Sequence, residues 1–230
     1  SRMAKQDSLL RRVSNGWPLF WSLALPLCMV MTWETSHGSL RDPEFISHMI
    51  SYSVRWSVPF IYLVLAASSL RILIDHPASL WLLRNRKHLG LVFAVAMAWQ
   101  GAFILLVSSV HAPYYYSDIY YLRDELEGSC GYLFLVAMLL TSFRAGRRRV
   151  SASQWRLIHK TGVYFLWAYP YSVYWWNCYY YDAPRGLDYV FFWTGFAAFA
   201  LRIAAWTKLQ IRERRRRSPS RDHILPAARV

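Results

Sequence analysis

Two histidines, His88 and His159, combine a side-chain type and a position that suit chemistry. Each stands near the end of a long apolar stretch, where an ionisable side chain tends to have a partner because hydrocarbon solvates charge poorly. Two neutral imidazoles that face each other can hold a haem iron as axial ligands. Arg86 and Arg156 beside them suit the propionates of such a group. The residues alone leave a second interpretation open, in which both histidines are ordinary interfacial residues.

Long apolar stretches must position these histidines. Each stretch is about 20 residues long, the length that an α-helix needs to cross a bilayer. The sequence therefore predicts an all-α, polytopic membrane protein with a six-helix bundle. The predicted spans are residues 16–33, 49–74, 88–111, 129–143, 155–175 and 188–206.

The orientation of the bundle follows from the basic residues between the spans. Arginine and lysine number four up to Gly16, three in 75–87, four in 144–154 and eight from Lys208 onward. The intervening segments 34–48, 112–128 and 176–187 carry one each. Loops rich in arginine and lysine stay on the cytoplasmic side of a membrane, so both termini are predicted to be cytoplasmic.

Composition narrows the function classes. The net charge of +14 is explained by topology control and by attraction to anionic lipid headgroups, so no nucleic-acid partner is expected. We divide the chain into a basic arm (1–15), the membrane domain (16–206) and a basic tail (207–230). A chain of this length is expected to hold no flavin or nucleotide domain beside the six spans, so we expect any soluble redox partner to be a separate chain. Cys130 and Cys178 either pair or stay free thiols.

Two stretches of the chain resemble the ferric reductase-like transmembrane family. The first runs from Tyr62 to Gln100, and the second from Leu135 to Trp167. In the second stretch, a span ends in Thr-Ser-x-Arg, a basic loop follows, and a tryptophan, a histidine and a tyrosine open the next span. These residues are here Thr141, Ser142 and Arg144, then Trp155, His159 and Tyr164. The resemblance covers about half of the chain.

The resemblance implies haem-mediated electron transfer in a bacterial inner (plasma) membrane. It implies ligands on spans 3 and 5, and His88 and His159 match the inner pair. The outer pair is missing, because Ser172 stands 13 residues after His159 and span 3 carries Gln100 and Ala102. At most one haem b is therefore implied, with His88 and His159 as ligands of its iron.

These observations favour a membrane electron-transfer subunit with one b-type haem near the cytoplasmic face. Such a haem-dependent oxidoreductase subunit would pass electrons between a quinol or flavoprotein donor and a partner. Membrane lipid, a separate redox protein or complex subunit, and quinone are the expected partners. The alternative is a haem-free relative that serves as a membrane scaffold or accessory subunit of a larger complex.

Overall fold

A computed structural model of the chain describes residues 14–180 and 183–217. Within these ranges the protein is helical and contains no strand, which confirms the all-α prediction. The six long helices are α1 (Gly16–His37), α2 (Pro43–Leu73), α3 (Pro77–Val110), α4 (Leu122–Thr141), α5 (Ala152–Tyr179) and α6 (Gly186–Arg217). Most of the predicted basic arm and the end of the basic tail, residues 1–13 and 218–230, lie outside the described residues.

Four of these helices are long and apolar enough to cross a membrane: α1, α2, α3 and the Gly186–Arg215 part of α6. Helix α4 begins with charged residues, including Asp124 and Glu125, which leaves it a short apolar segment. Helix α5 is rich in tryptophan and tyrosine, whose polar atoms lower its hydropathy. The described residues thus contain four candidate spans, and the predicted total of six stays a prediction.

The helices extend into segments that the sequence analysis assigns to loops and to the tail. Segment 75–87 was expected to be a cytoplasmic loop, but α3 already begins at Pro77. The side chains of His76 and Ser79 form a capping box there, and proline is favoured in the first turn of a helix. At the other end of α2, Asp42 caps the helix by accepting a hydrogen bond from the Glu44 amide at 3.0 Å. The tail was likewise expected from residue 207, but α6 continues to Arg217.

The long helices pack side by side with alternating direction. Helix α2 contacts α3, α5 and α6, while α5 also contacts α4 and α6, and α1 lies against α3. We call one end of the bundle the basic end (residues 14–16, 71–88, 141–160 and 202–217). The opposite end is the tyrosine end (residues 37–49, 107–128, 174–180 and 183–189). At the basic end, Lys208 on α6 donates hydrogen bonds to the last carbonyls of α2.

Asn85 joins the start of α1 to α3. Its side chain is 2% exposed. Its oxygen accepts the Gly16 amide at 2.8 Å, and its nitrogen donates to Asn15 and to the Trp81 carbonyl, each at 3.0 Å. Gly16 has φ +65°, a left-handed conformation that costs glycine little. The Trp81 indole donates to the Ser14 carbonyl at 2.7 Å, which completes the junction.

The cysteines are free thiols in the structure. A Cβ on Gly131 would lie 3.6 Å from Phe165 and 3.9 Å from Leu166, so the start of α4 runs beside the middle of α5. Cys178 stands 12 residues beyond Leu166. That interval is about 18 Å of helix, which keeps Cys178 out of reach of Cys130.

Candidate functional site

His159 is held by the junction between α4 and α5 at the basic end. Its Nε2 lies 3.0 Å from the Thr141 hydroxyl, and its ring stacks on Trp155 with the centroids 4.4 Å apart. The Trp155 indole donates to the Thr141 carbonyl at 3.2 Å. One ring nitrogen and one ring face of His159 are therefore engaged by protein groups.

His88 faces α1. Its ring meets Trp17 edge to face, with centroids 5.5 Å apart. Its Nδ1 is buried and has no hydrogen-bond partner among the described residues. The side of α3 that carries His88 is thus covered by the first turn of α1.

Arg86, and not His88, is the α3 residue that faces His159. Two positions along a helix are about 200° apart around its axis. Arg86 accordingly points into the bundle, where it donates to the Ser68 hydroxyl on α2 at 3.1 Å. The positive charge of Arg86 lies within electrostatic range of His159 and of Arg202.

The arrangement at the basic end fits a haem only in part. The contacts of His88 and His159 do not place the two imidazoles across one shared space. Arg86 and Arg202 suit haem propionates better than the two histidines suit a haem iron, because neither arginine has a carboxylate partner among the described residues. Arg202 instead donates to the Tyr164 hydroxyl at 2.8 Å. Arg156, the other predicted propionate partner, is exposed.

A cavity of about 270 Å³ lies between α2, α3, α4 and α5, towards the tyrosine end. It occupies the half of the bundle where the resemblance places its missing outer ligands. Gln100 lines it, whereas the Ser172 hydroxyl donates to the Tyr169 carbonyl of its own helix. The deeper wall is apolar and includes Phe93, Leu135 and Phe165.

Gln100 supplies the polar group in the middle of this cavity. It is 8% exposed, and its side-chain oxygen accepts a hydrogen bond from Tyr132 at 2.9 Å. The amide nitrogen of Gln100 has no partner among the described residues, and neither has the hydroxyl of Tyr169. Both groups are therefore free to bind a ligand in the cavity.

The mouth of the cavity is acidic. Asp124, Glu125 and Glu127 line it from the first turns of α4. Tyr115 donates to Glu125 at 2.6 Å, and Arg123 pairs with Glu127 at 2.8 Å. Burial raises the pKa of Tyr115, and the hydrogen bond to Glu125 raises it further. Tyr115 therefore remains a hydrogen-bond donor at neutral pH.

Sequence reasoning singled out Gln100 only as a lost ligand. An amide in an otherwise apolar helix was a signal for a polar site, because such a group needs a partner. The role of Tyr132 carried no local signal, since it depends on how α4 packs against α3.

Neither a family model, nor a curated protein, nor a solved structure significantly matches this chain. The resemblance to the ferric reductase-like family stays a prediction.

Proposed function

We propose that the chain is a haem-free membrane subunit that binds a small amphipathic molecule in the cavity beside Gln100. It would act as an accessory subunit of a larger complex, which is the alternative function expected from the sequence. The observation that carries this proposal is a cavity with a buried, half-satisfied amide in its wall. The amide nitrogen of Gln100 has no partner among the described residues, and a ligand with an acceptor group would give it a hydrogen bond.

The chemistry of the wall describes the ligand. An apolar body fits against Phe93 and Leu135, an acceptor group meets the Gln100 amide nitrogen, and a polar end reaches the mouth at Asp124. Ligand pockets usually measure about 300–1,000 Å³. A cavity of about 270 Å³ therefore suits a small ligand with one ring.

The proposed topology has six spans, with the basic end and both termini in the cytoplasm of a bacterium and the tyrosine end outside. Alternating helix direction and the arginine-rich loops at one end support it. Reporter fusions test it. Alkaline phosphatase fused after Ser117 should be active, whereas a fusion after Arg149 should be inactive, and green fluorescent protein should give the reverse pattern. Activity of both phosphatase fusions would contradict the six-span topology.

Cavity filling tests ligand binding. Ile104 lines the cavity, while the next residue, Leu105, is 71% exposed. Ile104→Trp therefore places a tryptophan inside the cavity, and Leu105→Trp places the same side chain on the exposed surface of α3. Phenylpropanol and a short-chain quinone, as two neutral probes, should raise the melting temperature of the wild type and of Leu105→Trp. Neither probe should stabilise Ile104→Trp. Equal shifts in all three proteins, or no shift in any, would overturn the proposal.

A second candidate function is electron transfer through a single b-type haem at the basic end. Arg86 lies within electrostatic range of His159, and Arg202 lies within range of Arg86. Neither arginine has a carboxylate partner among the described residues, which favours this function because propionates would pair with them. His159 would be a ligand of the iron, and the haem would supply a one-electron carrier between a quinol or flavoprotein donor and a partner protein. His88 faces α1 and would not complete the ligand set without a rearrangement.

An absorption spectrum of the purified protein separates the two functions. Under the second, the dithionite-reduced protein shows a b-type band at about one haem per chain. The band is lost in His159→Ala and kept in His88→Ala. A protein that is colourless even after expression with excess haem would overturn the second function. A haem held in all variants would overturn both the ligand assignment and the haem-free proposal.

A further inference from the structure

We infer that the ligand of the cavity is an organic cation, a molecule with an apolar body and a quaternary or protonated amine at the mouth. This inference rests on the proposed function and adds the charge of the ligand to it. It combines the acidic mouth, the tyrosine rings around it and the Gln100 amide nitrogen deeper inside, which has no partner among the described residues.

The charge of the mouth is only partly compensated. Arg123 neutralises Glu127. Glu125 receives the Tyr115 hydroxyl on Oε2, which fixes this carboxylate but leaves its charge. Asp124 makes no ion pair and no side-chain hydrogen bond among the described residues. Two negative charges therefore face the opening.

Acidic residues are common in the first turn of a helix, where their negative charge interacts favourably with the helix dipole. That explanation accounts for their presence on α4. It does not account for the cavity below them or for Gln100, which is 8% exposed and has a free amide nitrogen. The amide points to a ligand independently of the carboxylates.

Aromatic rings complete the mouth. Tyr115, Tyr121 and Tyr169 line the cavity together with the carboxylates, and the hydroxyl of Tyr169 is within electrostatic reach of Asp124 and Glu127. Faces of aromatic rings attract cations, and quaternary ammonium groups are recognised by aromatic cages. Carboxylates and tyrosines together favour a weakly hydrated organic cation. They disfavour an anion, which the same carboxylates would repel.

Three probes with one shared body isolate the effect of charge. Benzyltrimethylammonium is the cation, neopentylbenzene is its uncharged isostere, and phenylmethanesulfonate is an anion of similar size. Binding to the full chain in dodecyl maltoside is measured by thermal shift and by isothermal titration. We expect the cation to bind about tenfold more tightly than the isostere, and the sulfonate not to bind.

Substitutions at the mouth locate the effect. Asp124→Asn combined with Glu125→Gln should remove most of the advantage of the cation while leaving the affinity for neopentylbenzene unchanged. Glu44→Gln is the matched control, because Glu44 is an exposed carboxylate at the same end of the bundle and does not line the cavity. This control should bind like the wild type.

The outcomes separate the two proposals. If neopentylbenzene binds as tightly as the cation, the charge inference fails and the proposed cavity function stands. If no probe binds, both fail. Competition with glycerophosphocholine identifies the source of the cation. Displacement of benzyltrimethylammonium indicates a lipid headgroup, and no displacement indicates a free amine. Either result supports the inference.

Discussion

Tyr132 on α4 donates a hydrogen bond across 2.9 Å to the side-chain oxygen of Gln100 on α3. The same hydroxyl lies 2.9 Å from the Met97 carbonyl, so one proton serves two acceptors. Gly101 makes this approach possible, because a Cβ there would lie 3.2 Å from the Tyr132 hydroxyl. The bond orients the Gln100 amide so that its nitrogen remains available to the cavity.

Tyr132→Phe should destabilise the protein. The substitution leaves the buried oxygen of Gln100 without its donor, which costs about 1–3 kcal/mol. The melting temperature in detergent should fall by several degrees. Tyr189→Phe is the control, since Tyr189 is 42% exposed and its hydroxyl has no partner among the described residues. Equal melting temperatures for the two variants would refute the role of this hydrogen bond.

Gly195→Ala should loosen the packing between α2, α5 and α6. An added Cβ would lie 2.6 Å from the Tyr62 hydroxyl and 2.8 Å from the Tyr171 ring, and Tyr62 is only 5% exposed. Overpacking of this kind costs about 1–3 kcal/mol. Gly186→Ala, on the same helix, meets nothing within 4 Å and should be neutral. Thermal unfolding of the two variants checks the difference, and a neutral Gly195→Ala would show that this interface is looser than described.

Asn85→Ala should be among the most damaging polar substitutions. It removes the acceptor of the Gly16 amide and two donated hydrogen bonds from a residue that is 2% exposed. At about 1 kcal/mol for each bond, the loss is about 3 kcal/mol. Asn177→Ala removes a single, less buried bond to Asp188 and should cost about 1 kcal/mol or less. If the two variants unfold at the same temperature, Asn85 does not anchor α1.

Tyr115→Phe tests the hydrogen bond between Tyr115 and Glu125 at the cavity mouth. The hydrogen bond from Tyr115 to Glu125 should stabilise the protein by about 1 kcal/mol at neutral pH. The pKa of Tyr115 is raised above its ordinary value of 10.0, first by burial and then by Glu125. A raised pKa means that the stabilisation is complete below pH 10 and is lost as the pH rises through the folded value.

The measurement is the melting temperature of wild type and Tyr115→Phe between neutral and strongly alkaline pH. The two curves should be separated at pH 7 and converge only above pH 10. A constant separation across the whole range would mean that the effect of the substitution is not this titratable bond.

The helical class of the fold could be predicted from the sequence, because long apolar stretches have few other solutions. The orientation of the His88 side chain could not be predicted from the sequence. Its orientation depends on how α3 packs, because α1 covers the face that carries His88. The cavity was also beyond sequence reasoning, since Tyr132 meets Gln100 only through the packing of two helices that are separated by a long connection.

Photolabelling tests the central claim most directly, namely that the cavity beside Gln100 binds small amphipathic molecules. The full chain in detergent is irradiated with trifluoromethyl-phenyldiazirine, and the labelled residues are mapped by mass spectrometry. We predict labels on Gln100, Ile104 and Tyr132 that excess phenylpropanol removes. In Ile104→Trp, the labels on Gln100 and Tyr132 should be suppressed. Labelling that follows exposure alone, strongest at Leu105 and Leu133 and insensitive to the competitor, would contradict the account.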